Sequence, residues 1–266
     1  MAVNPPTFLR IPTEIRMMIY EHLLATNEHN AIAIRNFPED KKGDYVKQKC
    51  RSKYNIIDRT FARRSYQTTY YRASKAELAP AILAVNRQIR EEASCYLYGK
   101  NMFTFGHDLE AVVPFMEDRT KSTRELVREI SLQKKACGGD DLEADSYAWT
   151  GVCRYMKGMD SLKKLRVVVQ AGLPTAEWEG PRQLSVSDLR LLYATKHQSL
   201  EWVRELAQIG DIESVEIVAD MSPTAKPDNS ASLISAAFSN SIETSLIEFM
   251  RADLGVPAVS PAMEAT

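Results

Sequence analysis

Cysteine is scarce in this chain, and nothing in its placement pairs it. Cys50, Cys95, Cys137 and Cys153 form no CxxC, and the four histidines are scattered. That spacing gives neither a disulfide framework nor a zinc site, and it fits reduced thiols in an intracellular protein. Charge of one sign is also lacking: the formal net charge is -1, so the molecule as a whole is no polyanion binder. No apolar run approaches the ~20 residues that span a bilayer. The start, Met1-Ala2-Val3-Asn4-Pro5-Pro6, has neither the basic nor the apolar region of a secretory signal. Catalytic signatures are missing as well. There is no Walker loop, no GxGxxG and no HExxH, and Asp140, Asp141, Glu143 and Asp145 do not follow the EF-hand order. The expectation is a non-enzyme with no catalytic residue, metal or cofactor, located in the cytoplasm or nucleus.

What is present suits a folded protein. Apolar residues make up 44% and charged residues 26% of 266. That is enough to bury a core without cross-links. After Pro12, the residues Ile15, Met18, Ile19 and Leu23 recur at i, i+3, i+4 and i+8, on one helical face. Proline suits the first turn, where its missing N–H has no partner to lose. Residues 31–35 read as a short strand. A second helix is expected from about Leu78 to Tyr98, with a stripe of Ile82, Val85, Ile89, Ala93, Tyr96 and Leu97 and with Gly99 as its left-handed cap. Residues 101–105 read as a strand that pairs with 31–35 as a hairpin.

Between these lies a polar insert, about 36–77, which reads largely as a mobile loop. From Lys41 to Lys75 it holds eleven Lys or Arg against two Asp or Glu, interleaved with tyrosines. Lys47, Lys49, Arg51, Lys53, Arg63 and Arg64 are candidates for phosphate contact and the tyrosines for base stacking, so nucleic-acid or chromatin binding is the alternative function. No RNA-recognition, zinc-finger or helix-turn-helix module supports it.

The second half changes character. Strand-like runs at 127–132, 165–169 and 215–218 alternate with helices near 144–158, 187–209 and 230–253, which argues for parallel β-α units. Val167, Val168 and Val169 in a row suggest a strand buried on both faces. Leu126–Leu132 and Leu162–Val169 resemble one another as a degenerate leucine-rich-type repeat. The tail from Gly255 reads as disordered. Cys137-Gly138-Gly139-Asp140-Asp141 reads as a surface loop, and Trp149, Trp178 and Trp202 as packing residues. The domain expectation is a head at 1–118 that carries the insert, a β-α region at 119–254 and a tail at 255–266. The fold class is α+β to α/β.

Three stretches carry a family resemblance: Ile11-Pro12-Thr13-Glu14-Ile15-Arg16, then Ala81 to Ala93, then Leu97 to Phe103. They resemble a large group of filamentous-fungal proteins with an F-box-like N-terminus. The resemblance covers roughly the first 105 residues, less the insert. It implies a helix pair that docks on a Skp1-type adaptor, and a separate region that selects a protein substrate for ubiquitination. By motif position, Pro12, Ile15, Ile19, Leu23, Val85 and Ile89 match the adaptor-facing apolar positions. The residues alone allow another reading, in which Ile15, Ile19 and Leu23 pack on Ile82, Val85 and Ile89 inside the chain. Charges beside the stripes suggest that Glu14 pairs with Arg87 or Arg90 and sets the register of the two helices.

Overall fold

The β-rich second half dictates the architecture, because its strands alternate with helices long enough to cross back over a sheet. In the computed structural model the described residues are 8–25, 31–36, 54–58, 66–73, 78–135 and 142–261. Eight strands form one sheet in the order β2-β3-β1-β4-β5-β6-β7-β8. They are β1 (Ile32–Asn36), β2 (Tyr54–Asp58), β3 (Tyr66–Arg72), β4 (Met102–Gly106), β5 (Glu129–Lys135), β6 (Lys164–Pro174), β7 (Ser214–Thr224) and β8 (Ala258–Val259). From β1 through β8, leaving aside β2 and β3, each strand lies beside the next and runs parallel to it. The fold is mixed α/β.

Helix α1 (Thr13–Leu24) precedes the first strand, and the later helices lie in the connections between parallel strands: α2 (Arg87–Gly99), α3 (Val112–Glu117), α4 (Lys121–Arg124), α5 (Leu142–Met156), α6 (Val186–Ala194), α7 (Glu201–Leu206), α8 (Ser230–Ser241) and α9 (Ser245–Leu254). The expected long helix at 187–209 is broken. Lys196 takes a left-handed φ of 55° and a 3-10 turn at Gln198–Leu200 follows. The helix at 230–253 is likewise two, α8 and α9, the second closed by Gly255 at φ 66°.

Strand side chains alternate. Ile130 and Leu132 of β5, Leu165, Val167 and Val169 of β6, and Val215 and Ile217 of β7 are buried in one core. Trp149 of α5, Trp202 of α7, and Phe238 and Phe249 of α8 and α9 join them from the helices. Residues 129, 133, 166, 168, 216 and 218, on the other face, are only half-buried. Val168 is among them, so the three-valine run does not mark a strand buried on both faces. Its outer members enter the core and its middle one does not.

Five further expectations meet a different structure. Residues 31–35 and 101–105 do not form a hairpin: β1 and β4 run parallel, which α2 makes possible by returning the chain to the same end. The hairpin present is β2–β3, inside the insert that reads as a loop. β3 pairs with β1, and Tyr70 enters the core, its hydroxyl donating to Asp118 at 2.7 Å. The Arg119 guanidinium pairs with Asp118 and lies 4.6 Å from the Phe115 ring centre, so a single buried cluster holds the hairpin down. The tail is not free through residue 261: Ala258 is fully buried and β8 pairs with β7. Gly99 ends α2 without a left-handed φ, Lys100 serving as the cap in a right-handed conformation. The expected boundary near 118 falls between α3 and α4, where both the sheet and the core continue across it.

Candidate functional site

Helix α1 begins where Pro12 stops the preceding turn, its carbonyl accepting from the Ile15 and Arg16 N–H groups at 3.1 Å each. Its inward face is the row Arg16, Tyr20 and Leu24, at spacing i, i+4, i+8, all buried. This row packs on α2, which starts at Asn86, whose side chain accepts from the Ile89 N–H at 2.8 Å.

An ion pair joins the two helices. Arg16 donates to Glu92 through Nε at 2.9 Å and Nη2 at 2.7 Å, a bidentate contact. Tyr20 Oη donates to the same carboxylate at 2.8 Å, and Gln88 at 3.0 Å. Arg16 also reaches the Ile11 carbonyl at 2.6 Å, which ties down the chain before the helix. The Arg16 guanidinium is the main cause that holds the Glu92 carboxyl down at about 2; Gln88 and Tyr20 add to it. Burial pushes the Tyr20 hydroxyl up to about 12.

The expected pairing of Glu14 with Arg87 or Arg90 is therefore corrected, with the signs reversed between helices. Glu14 lies on the exposed side of α1, turned away from the Arg16–Tyr20–Leu24 row. Arg87 pairs with Glu91 one turn along its own helix, and Arg90 donates to the Leu83 carbonyl at 2.9 Å.

The six residues matched to adaptor-facing positions divide. Pro12 is exposed, as are Ile15 at 46% and Val85 at 63%. Ile19 is half-buried. Leu23 packs against the core, and Ile89, 2% exposed, belongs to it. Ile89 therefore offers no docking surface, because α2 turns it inward with Ala93 and Leu97. The packing of Ile15 and Val85 inside the chain, the other reading of these stripes, is overturned by their exposure. Met18, a member of the α1 stripe outside the six motif-matched positions, is 65% exposed. Lys47, Lys49, Arg51, Lys53, Arg63 and Arg64, like Cys137 to Asp141, lie outside the described residues.

Two other surfaces are polar. On the open face of the sheet, side chains in register pair across neighbouring strands, Lys164 with Glu129 at 3.9 Å and Arg166 with Glu216 at 3.5 Å, while Gln133 of β5 reaches diagonally over β6 to Asp220 of β7 at 3.0 Å. A cleft of about 490 Å³ opens beyond the end of β5, lined by Lys135, Gln170, Thr224, Lys226 and Ser235 among others. No group of three or more metal-ligating side chains occurs among the described residues. No helix among them is long and apolar enough to cross a membrane.

β8 covers the start of the outer edge of β7, and beyond it some of the edge donors are already used or missing. Val215 N–H donates to the Pro257 carbonyl at 2.9 Å, Ala219 N–H to Glu243 Oε1 at 2.7 Å, and Pro223 has no N–H to offer. That leaves an incoming strand fewer groups to pair with.

A family model matches residues 4–200 and so takes in the whole helix pair and most of the sheet. The chain belongs to the DUF7730 family, a domain of unknown function. No curated protein and no solved structure matches it. The DUF7730 match ends at the turn before α7, whereas the sheet goes on through β7 and β8. The folded unit here is thus longer than the matched region, and the last strands complete its core.

Proposed function

We propose that this chain is a non-enzymatic interaction protein, a substrate receptor that docks through its helical head on a Skp1-type adaptor and offers the open sheet face to a protein substrate. The observation that carries the reading is the division of labour on α1. The fold is held by Arg16, Tyr20 and Leu24, while Ile15 and Met18 face solvent. An isolated exposed apolar side chain needs no explanation, but a row of them on a helix whose other face is fully used is what a docking helix presents. The F-box-like motif, which places Pro12, Ile15 and Ile19 toward an adaptor, supports the same surface. Ile89 and Leu23 play no part in it.

The open sheet face suits the second role. Its paired charges and amides, with half-buried Val168 and Val218 between them, offer polar recognition around a small apolar centre. Nucleic-acid binding would rest on the insert cations, of which Arg72 alone is among the described residues.

A pull-down with a purified Skp1-type adaptor tests this reading. Wild type is expected to be retained, and Ile15→Asp plus Ile19→Asp to lose retention with an unchanged circular dichroism spectrum. Two buried apolar anchors at a contact are worth roughly 3–5 kcal/mol together, ample to abolish capture. Equal retention of both proteins would refute the adaptor surface.

A further inference from the structure

Residues 14, 18 and 21 of α1 stand in one line along the helix, at i, i+4 and i+7, with Ile15 beside them. The line therefore reads Glu14, Met18, Glu21: an exposed apolar centre with a carboxylate at each end. The two carboxylates are about 10 Å apart along the axis by helical rise. No ion pair joins either to another described residue. Arg16, the one Lys or Arg of α1, points inward to Glu92, so it neutralises nothing on this face.

We infer that the outward face of α1 is read by an apolar partner surface that carries lysine or arginine opposite Glu14 and Glu21, with Met18 as the central anchor. The inference rests on the adaptor reading above and specifies the adaptor patch that makes the contact. Met18 suits the centre, because its unbranched thioether chain adapts to an irregular pocket. The carboxylates suit the rim, where opposite charges speed encounter and set register. A second copy of the chain does not fit. Antiparallel pairing of two α1 faces brings Glu14 of one against Glu21 of the other.

Calorimetric titration of the full chain with purified Skp1-type adaptor, at about 50 mM and about 500 mM salt, tests it. Met18→Asp is expected to weaken binding at least ~30-fold at both salts, as loss of a central anchor does. Glu14→Lys plus Glu21→Lys is expected to weaken it ~10-fold or more at low salt, with the difference shrinking at high salt as screening removes the rim attraction. Glu14→Gln plus Glu21→Gln should fall between. If charge reversal leaves binding unchanged or tightens it while Met18→Asp weakens it, the basic rim is wrong and the adaptor reading stands. If Met18→Asp binds as wild type does, the anchor is wrong and the contact lies elsewhere. If wild type does not bind at all, the adaptor reading fails and takes this inference with it.

Discussion

Asp145→Ala is expected to lower the melting temperature by about 10 °C, because it strips a buried lysine of its counter-charge. Lys134 sits on β5 two residues after Leu132, facing the helices, and is 2% exposed. Its ammonium meets the Asp145 carboxylate of α5 and also donates to the Lys135 carbonyl at 3.1 Å. Removing the carboxylate leaves a buried cation without its counter-charge, which costs about 3–5 kcal/mol. At roughly 2–4 °C per kcal/mol in a chain of this size, a shift near 10 °C follows. The control is Lys134→Met with Asp145→Leu. Replacing a buried pair by apolar groups of similar volume is often neutral or stabilising, so the double variant should regain most of the loss. Thermal unfolding of the three proteins decides it. A single variant that melts with wild type would mean that the pair is solvated and not part of the core.

Glu92→Ala is the second. It removes the acceptor of two Arg16 bonds and one Tyr20 bond and leaves Arg16 inward-facing. A cost of about 2 kcal/mol is expected for charge-assisted bonds at this part-buried position, or a fall of about 4–8 °C. The pH dependence gives the sign. The folded Glu92 carboxyl titrates at about 2, below the ordinary 4.5. A group depressed on folding stabilises the fold above its unfolded pKa, and that stabilisation is lost as pH falls through the folded value. The melting difference between wild type and Glu92→Gln should therefore be constant above about pH 5 and shrink between about pH 4.5 and 2. A difference that is the same at pH 7 and pH 2.5 would show that Glu92 carries no such coupling.

The second half of the fold was readable because its signals are local and repeated. The runs at 127–132, 165–169 and 215–218 each became a strand, and the intervals between them became helices. Apolar periodicity reports such elements well, since each buries one face. It failed where tertiary partners decide. The hairpin strand β3 carries Tyr70 into the core, yet its sequence, rich in polar residues and tyrosine, has no apolar alternation. β8 is two residues long and exists because β7 has an open edge beside it. The three valines of β6 read alike in sequence, and only the one-sided placement of the helices separates Val168 from its neighbours.

The site was half legible for a related reason. Pro12 and Ile15 could be found from the motif, and both face outward. The row that holds α1 in place, Arg16, Tyr20 and Leu24, has the right spacing but begins with a charge and a phenol, so a search for apolar stripes passes over it. That search left the apolar residues of the opposite face open between packing in the core and contact with a partner. Lys134 misleads in the same way: it occupies an inward strand position that a lysine seldom takes, and Asp145, its partner, lies 11 residues further along the chain, on α5.

The central claim is that the outward face of α1 is left unused by the fold. Thermal unfolding of Ile15→Asp plus Met18→Asp tests it most directly. Exposed positions tolerate such changes within about 1 kcal/mol, so the variant should melt within about 3 °C of wild type. A fall of about 10 °C or more would contradict the account, because it would place Ile15 and Met18 in the core and leave α1 with no face to offer a partner.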